Sequence, residues 1–336
     1  MAERTLEEWA AAFRAGDRRA LARALTWAEA GDGRAQRLLA LVGGGGRRAH
    51  AVGVTGSPGV GKSSLVDRLA VALRRRGRTV GVVAVDPSSP FSGGAILGDR
   101  VRMAEAALDS GVFVRSLATR GRMGGLSAAT GDAIRLMDAF GKDAVVVETV
   151  GAGQAEVDVM GLVDSVVVVL APGLGDDVQA IKAGILEIAD VLVVNKADRP
   201  GADLAVRELR QMLLLGGGRP EEADAGRVPG WEVPVLRTSA TTGEGVEELA
   251  DALDRHRQAL AASGAGAARR LRAAEGALAD ALARTAVAEV RRAAPTMWEE
   301  AVRRLADGEA SPAAAAHELW AAARGARSGG RAWTSP

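Results

Sequence analysis

The stretch GSPGVGKSS, Gly56 to Ser64, places three glycines, a proline and a lysine between the apolar run AVGVT and the amphipathic segment LVDRLAVALRR. Gly56 through Ser63 fits G-x-x-x-x-G-K-[ST], and it lies after an apparent buried strand and at the head of a helix, the context that gives the pattern physical meaning. Main-chain amides wrap an anion closely only where no side chain intrudes, so Gly56, Gly59 and Gly61 permit the approach and the positive φ values it needs. With Ser57, Pro58, Val60 and Ser64 they form the candidate phosphate loop. The helix start that follows favours negative charge. Lys62 is the cation expected to reach β- and γ-phosphates, and Ser63 the hydroxyl offered to Mg²⁺.

A second constellation selects the base. NKAD, Asn195 to Asp198, follows the run VLVV directly. A carboxylate at Asp198 accepts two hydrogen bonds from the N1–H and exocyclic amine of guanine, whereas adenine offers an acceptor at N1, so polar pairing there rejects the wrong base. Lys196 can lay its methylenes along the purine. Asn195 is expected to tie this loop to the phosphate loop, and TSA at Thr238, Ser239 and Ala240 to present the Ala240 N–H to the guanine carbonyl. Taken alone, NKAD also reads as a solvated helix cap.

Acids and amides between strands supply the candidates for metal binding and turnover. Asp86 ends an apolar run, and Asp99 follows it across a Pro/Ser/Gly loop; both are candidate Mg²⁺ partners, with an Asp-Pro turn and a helix cap as the alternatives. Glu148 stands where a metal- or water-linked acid is expected, and the Gly151 N–H is placed to meet a γ-phosphate. Gln154 is a candidate for orienting the attacking water. It stands three residues beyond that glycine, which also suits a helix cap or a switch contact.

These loops need a scaffold that brings distant segments together. Seven β-branched runs, at 51 to 56, 79 to 86, 112 to 117, 143 to 151, 165 to 173, 191 to 198 and 233 to 240, alternate with helical stretches. Unbroken valine runs indicate strands covered on both faces, and hence a doubly wound, mainly parallel α/β sheet with crossover helices. Residues 1–44 read as an N-terminal helical extension, 45–262 as the nucleotide-binding domain and 263–336 as a C-terminal helical segment with a flexible tail. In that last segment Trp298, Leu305, Leu319 and Trp320 suit either an interface or a local core.

Composition narrows the class. The 336 residues are 48% hydrophobic with a formal net charge of +1, so no global field points to nucleic acid or an anionic membrane. The absence of cysteine excludes disulfides and thiolate metal sites, and the three histidines are scattered along the chain. No run suits a membrane span or a secretion signal, so a cytoplasmic location is expected. Among 43 basic residues the lysines are Lys62, Lys142, Lys182 and Lys196, positions that single out a compact ammonium.

GSPGVGKSS, DPSSPFSGGAILGDRVRM, SLATRGRMGGLSAAT, ETVGAGQAE, APGLGDDVQAIKAGILEIAD and NKAD, in this order, resemble the methylmalonyl-CoA mutase-associated GTPase family, the MeaB or ArgK type of G3E P-loop GTPase in the SIMIBI class. The resemblance implies a GTP/GDP- and Mg²⁺-dependent GTPase acting as a chaperone for an adenosylcobalamin-dependent acyl-CoA mutase, gating cofactor loading and protecting the mutase. It also implies a homodimer joined through C-terminal helices. By position, residues 86 to 100 match the first switch, Glu148 to Gln154 the second, and Gly175 to Lys182 an additional switch that contacts the mutase. On this resemblance Lys182 joins Lys62, Glu148 and Gln154 as a candidate for turnover, although Asp176 and Asp177 beside it also suit a helix start. A P-loop kinase or ATPase and a metallochaperone GTPase are the alternatives; the latter ordinarily carries Cys/His clusters.

Overall fold

The computed structural model describes residues 4–43, 49–86, 103, 105–118, 125–149, 158–173, 188–215 and 227–328. Contacts divide the chain into two compact units, Met1–Ala273 and Ala274–Pro336.

The first unit opens with α1 (Leu6–Arg14), α2 (Arg18–Ala30) and α3 (Arg34–Val42). Thr5 and Glu8 start α1 through a reciprocal capping box, and Gly31 ends α2 in the left-handed conformation that glycine adopts at least cost. Then come β1 (His50–Thr55), α4 (Lys62–Arg75), β2 (Val80–Asp86), a 3₁₀ turn at Ala106–Leu108, β3 (Val112–Ala118), α5 (Gly125–Ala139), β4 (Ala144–Thr149) and β5 (Ser165–Leu170). They are followed by β6 (Val191–Val194), α6 (Ala202–Leu215), β7 (Val235–Arg237), α7 (Val246–Ser263) and the start of α8 (Ala265–Ala293).

Among the described residues the strands form one seven-stranded sheet in the order β3-β2-β4-β1-β5-β6-β7, and every pairing is parallel. The seven runs expected to be strands are these strands. All residues of β1, β4, β5 and β6 are buried. Alternate side chains serve opposite faces: Val145 and Val147 join Leu21, Leu25, Leu38 and Met137, whereas Ala144 and Val146 join Leu65, Leu69, Leu249 and Leu253. Each buried valine contributes about 1.5–3 kcal/mol, which is why the runs lack polar alternation. The three N-terminal helices therefore share a core with the sheet.

Strand order reverses at β1, which lies between β4 and β5. That is where an open α/β sheet leaves a crevice beyond its strand ends.

The second unit holds the rest of α8 with α9 (Pro295–Ala306) and α10 (Pro312–Ser328). Val290, Ala301, Ala315, Leu319 and Ala323 make its core, with Trp298 and Leu305 packed against them, while Trp320 is half exposed. Arg291 stacks over Trp298 at 4.4 Å.

Candidate nucleotide site

The glycine loop follows Thr55 at the end of β1, and α4 begins at Lys62. Gly56 has φ +144°, and a Cβ there would meet the Val169 carbonyl oxygen of β5 at 2.1 Å. Gly61, with φ +91°, caps α4; a Cβ on it would lie 2.6 Å from Asn195 Nδ2. Both positions thus need glycine for conformation and for space.

Lys62 is buried, and its Nζ donates to the carbonyls of Gly56 at 2.6 Å and Ser57 at 2.9 Å, which holds the ammonium over the loop. Ser63 Oγ donates to Glu148 Oε1 at 2.5 Å, bringing the helix head against the buried carboxylate of β4. Beside them Thr149 Oγ1 donates to Thr55 Oγ1 at 3.1 Å, pinning the ends of β4 and β1 together.

The base-reading residues meet the same loop. Asn195 leaves β6 with its N–H on the Leu170 carbonyl at 2.8 Å, and its Nδ2 donates to Val60 O at 2.8 Å. Its Oδ1 accepts from Thr238 Oγ1 and from the Ala240 N–H, both at 3.2 Å. Lys196 takes φ +58°, a left-handed conformation unusual for a side-chain-bearing residue, and its Nζ reaches Gly59 O at 2.6 Å. Ser239 Oγ donates to Asp198 Oδ1 at 2.7 Å, and that bond holds the Asp198 carboxyl below the usual carboxylate range. An ionised, acceptor-only carboxylate is what pairing with two N–H donors requires.

Gly56 to Ser63, Glu148, Asn195 to Asp198 and Thr238 to Ala240 are therefore brought into one neighbourhood. Of Asp86 only the backbone is described, at the end of β2. Asp99, Gly151, Gln154, Asp176, Asp177 and Lys182 lie outside the described residues. Sequence reasoning does not single out Thr55, Thr149 or Arg68: the threonines sit at strand ends without a motif, and the arginine is one among many.

The parallel sheet reversing at β1, the glycine loop and a lysine-headed helix define a P-loop nucleoside triphosphatase. A family model described as methylmalonyl Co-A mutase-associated GTPase MeaB matches residues 21–296, and the chain belongs to that family. It is 42% identical over 325 residues to "Probable GTPase" of Mycobacterium tuberculosis, covering 94% of each chain. It is 37% identical over 270 residues to GTPase ArgK of Escherichia coli, covering 78% of this chain and 79% of that one. A solved structure described as LAO/AO transport system kinase superposes with a TM-score of 0.69 at 26% identity, covering 95% of this chain and 97% of its own. The protein is a guanine-nucleotide-binding GTPase of the MeaB/ArgK type. Among the described residues no helix is long and apolar enough to cross a membrane.

Proposed function

We propose that the chain couples Mg²⁺-dependent GTP hydrolysis to the care of an adenosylcobalamin-dependent acyl-CoA mutase, gating cofactor loading and protecting the mutase as its G-protein chaperone in the cytoplasm. The observation that carries the nucleotide part is the bond from Asn195 to Val60, which makes the phosphate loop and the base-reading loop one rigid site. The family description, a mutase-associated GTPase, supports the partner.

In this reading the amides from Gly56 to Ser64 cradle the phosphates, and Lys62 exchanges its loop carbonyls for β- and γ-oxygens. Asp198 reads guanine, Lys196 covers the ring, and Ser239 and Ala240 close the base pocket. Ser63 and Glu148 are hard oxygen donors 2.5 Å apart, too few to cage a cation and suited to one completed by phosphate and water, as Mg²⁺ is. Asp86 and Asp99 are proposed to support it. When bound, Mg²⁺ would offset negative charge on the β- and γ-phosphates. Gly151 is assigned to the γ-phosphate, Gln154 to the attacking water and Lys182 to the switch that meets the mutase. Water then attacks the γ-phosphorus, the bond to the β-phosphate oxygen breaks, and GDP and phosphate leave.

A homodimer through the second unit completes the proposal. There Leu278 (69%), Leu282 (67%), Met297 (43%) and Val302 (50%) are exposed, an apolar surface that a second copy can cover.

The test mixes the purified chain with a cobalamin-dependent acyl-CoA mutase in a non-hydrolysable GTP analogue or in GDP. Nucleotide-dependent co-elution and altered GTP turnover are expected. Identical elution and unchanged turnover in both states remove the chaperone reading and leave the GTPase intact.

A further inference from the structure

Arg68 lies on α4, within two turns of Lys62, and its guanidinium reaches two loops that are far apart in the chain. Nε donates to the Ala240 carbonyl at 3.0 Å. Nη1 donates to Glu105 Oε2 at 2.6 Å. The adjacent Asp67, buried, accepts from the Ala106 N–H at 2.8 Å through Oδ1. Two consecutive side chains of the helix headed by the phosphate loop therefore hold residues 105 and 106, and one of them also holds the base loop.

Ala240 needs such a tether. Its own N–H is the group assigned to the guanine carbonyl, and it sits in a tight turn in which the Ser239 N–H reaches Glu244 O at 2.9 Å and the Gly243 N–H reaches Ser239 O at 2.8 Å. Asn195 Oδ1 orients the amide side of Ala240 at 3.2 Å, but the carbonyl side is held by Arg68. A flat guanidinium with several fixed donors can serve a carbonyl and a carboxylate at once, which the point charge of lysine does poorly.

We propose that Arg68 is a positioning residue for guanine recognition. It fixes the Ala240 peptide against the phosphate-loop helix, so that the distance between the base pocket and the phosphate pocket is set by α4 itself. Through Glu105 it ties that pocket to the chain just after residues 86 to 100, the stretch matched to the first switch. This rests on the nucleotide assignment above.

The test compares wild type, Arg68→Ala, Arg68→Lys and Asp198→Asn in steady-state hydrolysis of GTP, of xanthosine triphosphate and of 6-thioguanosine triphosphate, which keeps the N1–H and the exocyclic amine but offers sulfur, a weaker acceptor, in place of the purine carbonyl oxygen. In Arg68→Ala the KM for GTP is expected to rise about tenfold while kcat stays within about twofold. Its preference for GTP over the 6-thio analogue is expected to shrink, and its rejection of xanthosine, which Asp198 governs, to persist. Arg68→Lys is expected to fall between Arg68→Ala and wild type. An unchanged KM, or equal loss of all base preferences, overturns the proposal. If Arg68→Ala does not fold, Arg68→Lys decides by the same ratio of GTP to 6-thioguanosine triphosphate turnover. An Asp198→Asn variant with unaltered base preference sinks the guanine reading itself, whereas a shift there with no effect at Arg68 sinks only the positioning role.

Discussion

Asn195 and Val60 stand 135 residues apart in the chain and are joined by a 2.8 Å hydrogen bond from Nδ2 to the carbonyl. The same side chain accepts from Thr238 and Ala240, so a single buried amide joins three loops. Asn195→Ala leaves those partners without their bonds. Nucleotide affinity is expected to fall roughly 10- to 100-fold, measured by titrating a fluorescent GDP analogue. Affinity within a factor of about two of wild type would contradict the tie.

Lys62→Ala removes the ammonium that rests on Gly56 and Ser57. Phosphate release from GTP is expected to drop by more than about 100-fold, because the ammonium assigned to the β- and γ-phosphates is gone while Lys196, on Gly59, is assigned to the base. Circular dichroism should report the same helix and strand content as wild type, since the aliphatic core beneath α4 is untouched. Normal turnover in this variant removes Lys62 from the site.

Gly56→Ala tests the crevice by filling it. The new methyl would press on the Val169 carbonyl of β5, at 2.1 Å, from a backbone with φ +144°. A loss of roughly 2–4 kcal/mol is expected by denaturant unfolding, together with loss of nucleotide binding. Wild-type stability would mean that the loop is free to move away from β5.

Acid sensitivity is expected from the opposite end of the sheet. His50 Nε2 meets Ser165 Oγ at 2.7 Å, and Ser165 Oγ meets His256 Nδ1 at 2.7 Å. Burial pushes the His50 imidazole from 6.5 down to about 3, with Arg257, His256 and Arg78 opposing its charge and Asp254 favouring it. Burial would raise Asp190, but Arg269 and His256 outweigh it and lower the carboxyl from 3.8 to about 2. As pH falls below 6.5 the unfolded chain takes up a proton that the folded His50 refuses until about 3, so stability is lost across that window. The Asp190 contribution is present above 3.8 and is lost as pH falls towards 2. The free energy of unfolding, measured with denaturant, should decline between about pH 6.5 and pH 5 with a slope approaching roughly 1.4 kcal/mol per pH unit, and the decline should flatten in His50→Asn. A flat wild-type profile over that range rules the His50 contribution out.

Much of this was legible from residue order alone. The valine runs announce strands because burial on both faces leaves no room for alternation, and each run became a strand of the parallel sheet. The glycine loop and NKAD carry their chemistry in local spacing. Long-range partnership is different. His50, Ser165, Asp190 and His256 have no spacing pattern, and become neighbours because β1, β5 and β6 lie side by side in parallel with their starts at one end and α7 brings His256 to them. Arg68 was hidden for a similar reason: in a chain whose cations are mostly arginine, residue type carries little information, and only the fold shows where each fork reaches.

The first three helices fill the same oily layer as the sheet, with Phe13, Leu21, Leu25 and Leu38 almost wholly shielded from water. A chain begun at His50 would strip that covering and bare the apolar side chains it now shields, those of α5 among them, which invites clumping. The leading residues are thus better regarded as one wall of the apolar layer than as an appendage, and shortened forms should be insoluble before they are inactive.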